Sequence, residues 1–189
     1  WAQHLMQSRT AGEDRLSQIS EHFPATQADD AVPENFIARV VDLLVEGASD
    51  GAILVEVRFG KDLADRPNCL HLFREAEKQV QATYPDFHAG VIPFIYLNWG
   101  DEKVERIVQR YEKWGREGLI FGADIFNDPY GQETDWTRAY QIGERLANAG
   151  LGITIHVAET APVNIESALK MPGLTRIGHA THAGYHPHL

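Results

Sequence analysis

Three segments of this chain carry side chains that can act on a small molecule. In Ile153-Thr-Ile-His-Val157 the apolar residues alternate, so Thr154 and His156 share the opposite face of a strand. Glu159 follows three residues later, in the turn beyond that strand, within reach of a ligand held by the histidine. Neutral imidazole is a common zinc ligand, and a partly desolvated glutamate can hold a proton near neutral pH, so the pair suits a metal plus a general acid. An ordinary buried histidine beside a loop glutamate has the same spacing. Thr175-Arg-Ile-Gly-His179 repeats the arrangement: Gly178 permits close backbone approach and His179 stands at a strand end. A helix-packing glycine with a solvent-facing histidine would look the same. Asp124, with Asn127 and Asp128, supplies a third polar group.

Glu56 and Arg58 lie opposite Ile53, Val55 and Val57, so both should face the interior. A charge there needs a partner, because desolvation costs several kcal/mol. Asp124 is the expected partner of Arg58, in an internal ion pair that shapes the interior rather than in direct catalysis. His182, His186 and His188 add imidazoles after His179, but a loop is a poor frame for a rigid coordination sphere.

The elements that must position these residues alternate between a helical apolar period and short apolar runs. Pro33 opens a helix with Phe36, Val40 and Leu44 on its stripe, which Gly47 should close. A strand is expected over Ala52–Phe59, then a helix through Leu70, Phe73 and Val80. The apolar stretch Phe87–Leu97 contains Pro93, which leaves its strand boundary open because proline cannot donate to the ladder. A third helix carries Val104, Ile107, Val108 and Tyr111, with Asp101 and Glu102 near its start. The strand Leu119–Ile125 follows, then a helix capped by Thr134 or Asp135 and ending at Gly150. Leu151–Val157, a short helix over Pro162–Leu169 and the strand Leu174–His179 complete five strands. Short crossovers fit either an open doubly wound sheet or part of an eight-stranded barrel. The first thirty-one residues are polar, with weak periodicity, and are expected to form an irregular or helical lead-in to one domain spanning 1–189.

Composition narrows the function classes. A net charge of -10 and the absence of a Lys/Arg cluster argue against nucleic acid as a partner. No apolar run approaches the ~18 residues of a membrane span, and no secretory leader is recognisable, so a cytoplasmic, membrane-free setting is expected. The one cysteine, Cys69, excludes an internal disulfide, a multi-thiolate zinc site and the Pro-Cys-x-x-Cys deaminases that act on nucleic-acid bases.

Four segments, in order, resemble the adenosine deaminase family of the amidohydrolase superfamily. Val55-Glu-Val-Arg-Phe59 is similar to its second-strand Glu-Val-Arg signature, and Gly122-Ala-Asp-Ile-Phe-Asn-Asp128 to its fourth-strand Asp-Leu-Ala-Gly-Asp segment. Ile155-His-Val-Ala-Glu159 resembles the fifth-strand His-Ala-Gly-Glu, and Arg176-Ile-Gly-His179 the sixth-strand Arg-Leu-Gly-His. The resemblance covers most of the chain from Ala52 to His179. It implies an α/β fold, a TIM (β/α)8 barrel present here as strands 2 to 6, with one zinc at its mouth. It also implies hydrolytic deamination of adenosine or a related purine nucleoside or base. His156 would be a zinc ligand, Glu159 the acid that protonates the ring nitrogen, His179 the residue that orients or deprotonates the attacking water, and Asn127 and Asp128 would contact the substrate.

The departures from the pattern carry expectations of their own. The family's His-x-His ligands belong to its first strand and its aspartate ligand to its eighth, and neither strand is in this sequence. One of four protein ligands is therefore assigned, and this chain alone should not hold zinc tightly. Further strands would come from another part of the protein or from another chain. Asn127 stands where the family has a glycine that approaches the purine, which crowds the usual adenosine position, and Val157-Ala158 in place of Ala-Gly tightens the same wall. The alternative functions are a degenerate barrel acting as a binding protein and another mononuclear amidohydrolase.

Overall fold

The structure is a computed structural model and describes residues 32–60, 68–126, 135–159 and 161–183. Helices and strands alternate throughout: α1 (Pro33–Ser49), β1 (Leu54–Phe59), α2 (Cys69–Gln81), β2 (His88–Tyr96), α3 (Asp101–Arg116), β3 (Gly122–Phe126), α4 (Trp136–Asn148), β4 (Gly152–Val157), α5 (Ile165–Ala168) and β5 (Leu174–His179). The expected lead-in over the first thirty-one residues lies outside the described residues.

Each long helix begins where the local chemistry favours it. Pro33 occupies the first turn of α1, where its missing N–H has no intrahelical partner to lose. Asp101 and Glu102 place negative charge at the positive end of α3, and Lys113 and Arg116 sit at its other end. Asp135 caps α4 by accepting a hydrogen bond from the Thr137 amide at 3.0 Å; Thr134, the other candidate cap, lies outside the described residues. The helical stripes bury Phe36, Val40 and Leu44 on α1, Phe73 and Val80 on α2, Ile107 and Tyr111 on α3, and Leu146 on α4. Facing them across the sheet are Val91, Ile95, Ala123, Ile125, Ile153, Ile155 and Val157, all within one core.

Several boundaries differ from the expected ones. The first helix runs past Gly47 to Ser49, and β1 and β3 begin at Leu54 and Gly122 rather than at Ala52 and Leu119. Ile53 is 72% exposed although its carbonyl accepts from the His88 amide, so it lies at the rim where no helix covers the strand entry. Pro93 does not interrupt β2. The last pair with β1 is Phe59 with Pro93 and the first with β3 is Phe94 with Asp124, so the missing N–H falls where the ladder passes from one neighbour to the other.

All five strands are parallel and lie in the order β1-β2-β3-β4-β5. A doubly wound sheet reverses its strand order at a switch point, and this sheet does not. Its curl is visible in the side chains: Arg176 on β5 pairs with Glu56 on β1, and the Arg58 guanidinium from β1 lies against Gly178 of β5. Residues at opposite edges of a flat five-stranded sheet would stand roughly 19 Å apart at the usual strand spacing. The sheet is therefore a half-barrel, with helices outside and a polar interior face.

Candidate active site at the mouth of the half-barrel

Strand register assembles the interior. Phe94, Asp124, Thr154 and Arg176 occupy successive positions across β2 to β5, and His156 pairs with Gly178 in the next row toward the C-terminal ends. Ligands bind at this end of parallel barrels. Asp124 and Thr154 are fully buried. A buried carboxylate persists in a parallel strand only if the interior gives it partners.

Asp124 has two. His156 Nδ1 lies 2.7 Å from its Oδ1, and Arg58 Nε lies 3.2 Å from its Oδ2. Oδ2 has no aligned hydrogen bond, so the Arg58 contact is an ion pair held by charge rather than by direction. With Nδ1 donating to a carboxylate, the His156 lone pair is left on Nε2. Arg58 Nη1 lies 3.5 Å from that Nε2, at the outer limit of hydrogen bonding. Gly178 makes room for the guanidinium, since a Cβ there would come within 2.9 Å of Nη1. Phe94 meets the His156 ring edge to face, with centroids 5.3 Å apart, and leaves its side chain 8% exposed.

His179 converges on the same place. Its ring centroid is 5.0 Å from that of His156, and its Nε2 is 3.5 Å from Glu159 Oε2. Burial pushes the His179 pKa below the ordinary imidazole value; Glu159 and Asp124 oppose it, and the neighbouring His156 and the Arg58 cation act with burial. A proton acceptor therefore stands beside a carboxyl group at the mouth.

The two strand ends carry backbone strain that their hydrogen bonds hold in place. Ala158, His179 and Ala180 have φ of 58°, 65° and 54°, left-handed values that non-glycine residues rarely adopt. The Ala180 amide donates to Val157 O and the His182 amide to Ala158 O, so the segments after β4 and β5 are tied together. Trp136 Nε1 donates to Asn164 Oδ1 at 3.0 Å, and the Tyr140 hydroxyl to Ser167 O at 2.8 Å, which anchors the chain beyond Glu159 on α4.

His156, Glu159 and His179 are thus brought together, and Arg58 pairs with Asp124 as expected. Asn127 and Asp128, expected to contact substrate, and His186 and His188 lie outside the described residues. Three features escaped the sequence reading: Asp124 as the anchor of His156, Phe94 against its ring, and Arg176 as the partner of Glu56. Period-two alternation, which puts Arg176 and Gly178 on one face, is the signal that could have found the last of them. Their partners come from β1, and only the curl brings that strand near.

A metal could use His156, because a ligating histidine commonly gives its other nitrogen to a carboxylate, as His156 does to Asp124. Its Nε2 fits one coordination position. Among the described residues no group of three or more His, Cys, Asp or Glu side chains is placed to hold a metal ion, so the remaining ligands would have to come from elsewhere. Also among the described residues, no helix is long and apolar enough to cross a membrane.

No protein family model matches the sequence, and no curated protein does. Among solved structures, the chain superposes on adenine deaminase from Arthrobacter aurescens with a TM-score of 0.65 at 15% identity. The two share a fold. The match covers 82% of this chain and 48% of that protein, so the chain spans about half the length of its structural relative. At this identity the likeness extends to the barrel architecture and no further.

Proposed function

We propose that this chain is the central part of a metal-dependent aminohydrolase that replaces the exocyclic amine of a purine base or nucleoside by a carbonyl oxygen, releasing ammonia. The observation that carries this reading is the convergence of His156, Glu159 and His179 at one barrel mouth, with Asp124 fixing the orientation of His156. The resemblance of the four strand motifs to adenosine deaminases and the shared fold with an adenine deaminase support it.

In this reading His156 Nε2 would be one zinc ligand, and a bound zinc would lower the pKa of its water to about 7. The chain's own residues carry the proton movements. His179, kept neutral by burial, accepts a proton from the water as its oxygen bonds to the amine-bearing carbon. Glu159 delivers a proton to the adjacent ring nitrogen, so that the electron pair displaced from the C=N bond does not remain as an uncompensated anion. The amine then takes up the proton held by His179 and departs as ammonia as its C–N bond breaks, while the remaining hydroxyl proton passes back to Glu159 and the carbonyl forms. Asn127 and Asp128, which directly follow β3 in sequence, would contact the ring and set which purine is accepted.

Ammonia release from adenine, adenosine and related aminopurines, measured on the protein containing this chain, tests the proposal. Glu159→Gln should lower turnover by roughly 10² to 10⁴ with metal content nearly unchanged, because glutamine keeps the shape and cannot deliver the proton. His156→Ala should lose metal and activity together. Near-native turnover of Glu159→Gln on every purine tried would refute the mechanism.

A further inference from the structure

Resting on the reading of this mouth as a purine site, we infer that Tyr96, backed by Trp99, is the wall against which the flat heteroaromatic ring of the substrate stacks. Register places Tyr96 at the height of the reacting groups. It pairs with Phe126, and one further step of the β3–β4 ladder brings Phe126 level with His156. Two strand spacings separate Tyr96 from His156, roughly 10 Å, so a small ligand beside the imidazole has Tyr96 as its neighbour on the β2 side. Phe94 lies one row deeper and joins the two: its ring meets His156 at 5.3 Å and Tyr96 at 6.0 Å between centroids, edge to face both times.

Phe94 and Tyr96 do not serve the core under the helices. Ile95, between them, points the other way and is fully buried there, whereas Phe94 and Tyr96 stand on the interior face, half-buried, at the barrel end where ligands bind. The loop that follows is built to support a stack. The Trp99 amide donates to Tyr96 O at 3.2 Å, in a turn that sets the indole 5.0 Å from the Tyr96 ring with 35° between the planes. Lys103 Nζ lies 4.0 Å from the Trp99 ring centroid. From α4, Arg138 donates to Leu97 O at 3.1 Å and to Trp99 O at 3.4 Å, and pairs with Asp101 at 3.0 Å. A wall fixed before the ligand arrives loses little freedom on binding. Every base has a π-face, so stacking favours aromatic heterocycles as a class, while groups at the ring edge choose among them.

Equilibrium dialysis of unsubstituted purine, which has no amine to lose, against the protein containing this chain reads the stack without turnover. Tyr96→Leu keeps an apolar side chain and removes the ring; it should weaken purine binding roughly five- to a hundredfold, the range of one base stacked on an aromatic side chain. Trp99→Leu should weaken it roughly two- to tenfold by loosening the support, and Tyr96→Phe should retain most of the affinity. With an aminopurine that the protein deaminates, Tyr96→Leu should raise KM far more than it lowers kcat, because stacking holds substrate and transition state alike. Purine bound equally by the parent and Tyr96→Leu, or by neither, would overturn the wall and leave the aminohydrolase reading to ammonia release. Purine binding that depends on Tyr96, in a protein that releases no ammonia, would sustain the wall and overturn deamination. Should both leucine variants fail to fold, the Tyr96 ring-proton resonances of the parent decide: they should move upfield as purine is added, and constant positions would overturn the stack.

Discussion

Asp124→Asn is the most revealing single change, because one buried carboxylate on β3 holds both His156 of β4 and Arg58 of β1. The substitution keeps the volume and can keep a carbonyl oxygen for the His156 Nδ1–H. It removes the charge facing Arg58 Nε at 3.2 Å and can direct an amide NH₂ at that cation. Breaking a buried ion pair by removing one partner costs about 3 to 5 kcal/mol. Arg58 is a third exposed and can turn to water, which lowers that to about 1 to 2 kcal/mol. Loss of the charge from the hydrogen bond to His156 adds about 1 kcal/mol. A destabilisation of about 2 to 3 kcal/mol is expected, read by urea unfolding with an unchanged slope. A change below about 1 kcal/mol would refute the view that Asp124 holds the site together, and would mean that the backbone ladder suffices to hold Arg58 and His156.

Thr154→Val tests the neighbouring position: the buried Oγ1 has no hydrogen-bond partner, so the isosteric valine should be neutral or slightly stabilising in the same unfolding assay. Ala158→Gly should relieve about 1 kcal/mol of left-handed strain at φ 58°, partly offset by about 0.4 to 1 kcal/mol of extra unfolded-state entropy; a melting temperature lowered by several degrees would show that Ala158 is not strained. On the outer surface, Arg145 bridges Glu105 and Glu112 and holds the Glu105 pKa below its ordinary value, chiefly through its hydrogen bond. A depressed carboxylate contributes stability above its unfolded pKa and loses it as pH falls through the folded one, so Glu105→Gln should flatten the acid limb of stability against pH. The effect should shrink in high salt, because the pair is solvent-exposed.

Much of the architecture follows from local pattern. The helical stripes, Pro33 at a first turn, the Asp135 cap and the alternation in Ile153-Thr-Ile-His-Val157 each depend on neighbours a few residues away, so they can be read along the chain. The same alternation set Glu56, Arg58, Thr154 and His156 on inward faces before any strand had a neighbour. The end of a helix is less legible, because the last turn depends on what it packs against; α1 runs past Gly47 since Ala48 is buried in the core.

Apart from the expected Arg58–Asp124 pair, tertiary structure decided which inward residues meet. Strand order ruled out a doubly wound sheet, and curl brought β5 to β1, making partners of Arg176 and Glu56 and setting Gly178 against Arg58. The Asp124 contact with His156 spans 32 residues, and that of Arg58 with His156 spans 98. A period of two specifies the face a side chain occupies. The neighbour it finds there is set by register and curvature, which arise from the packing of helices on the sheet and have no counterpart in any short stretch of sequence.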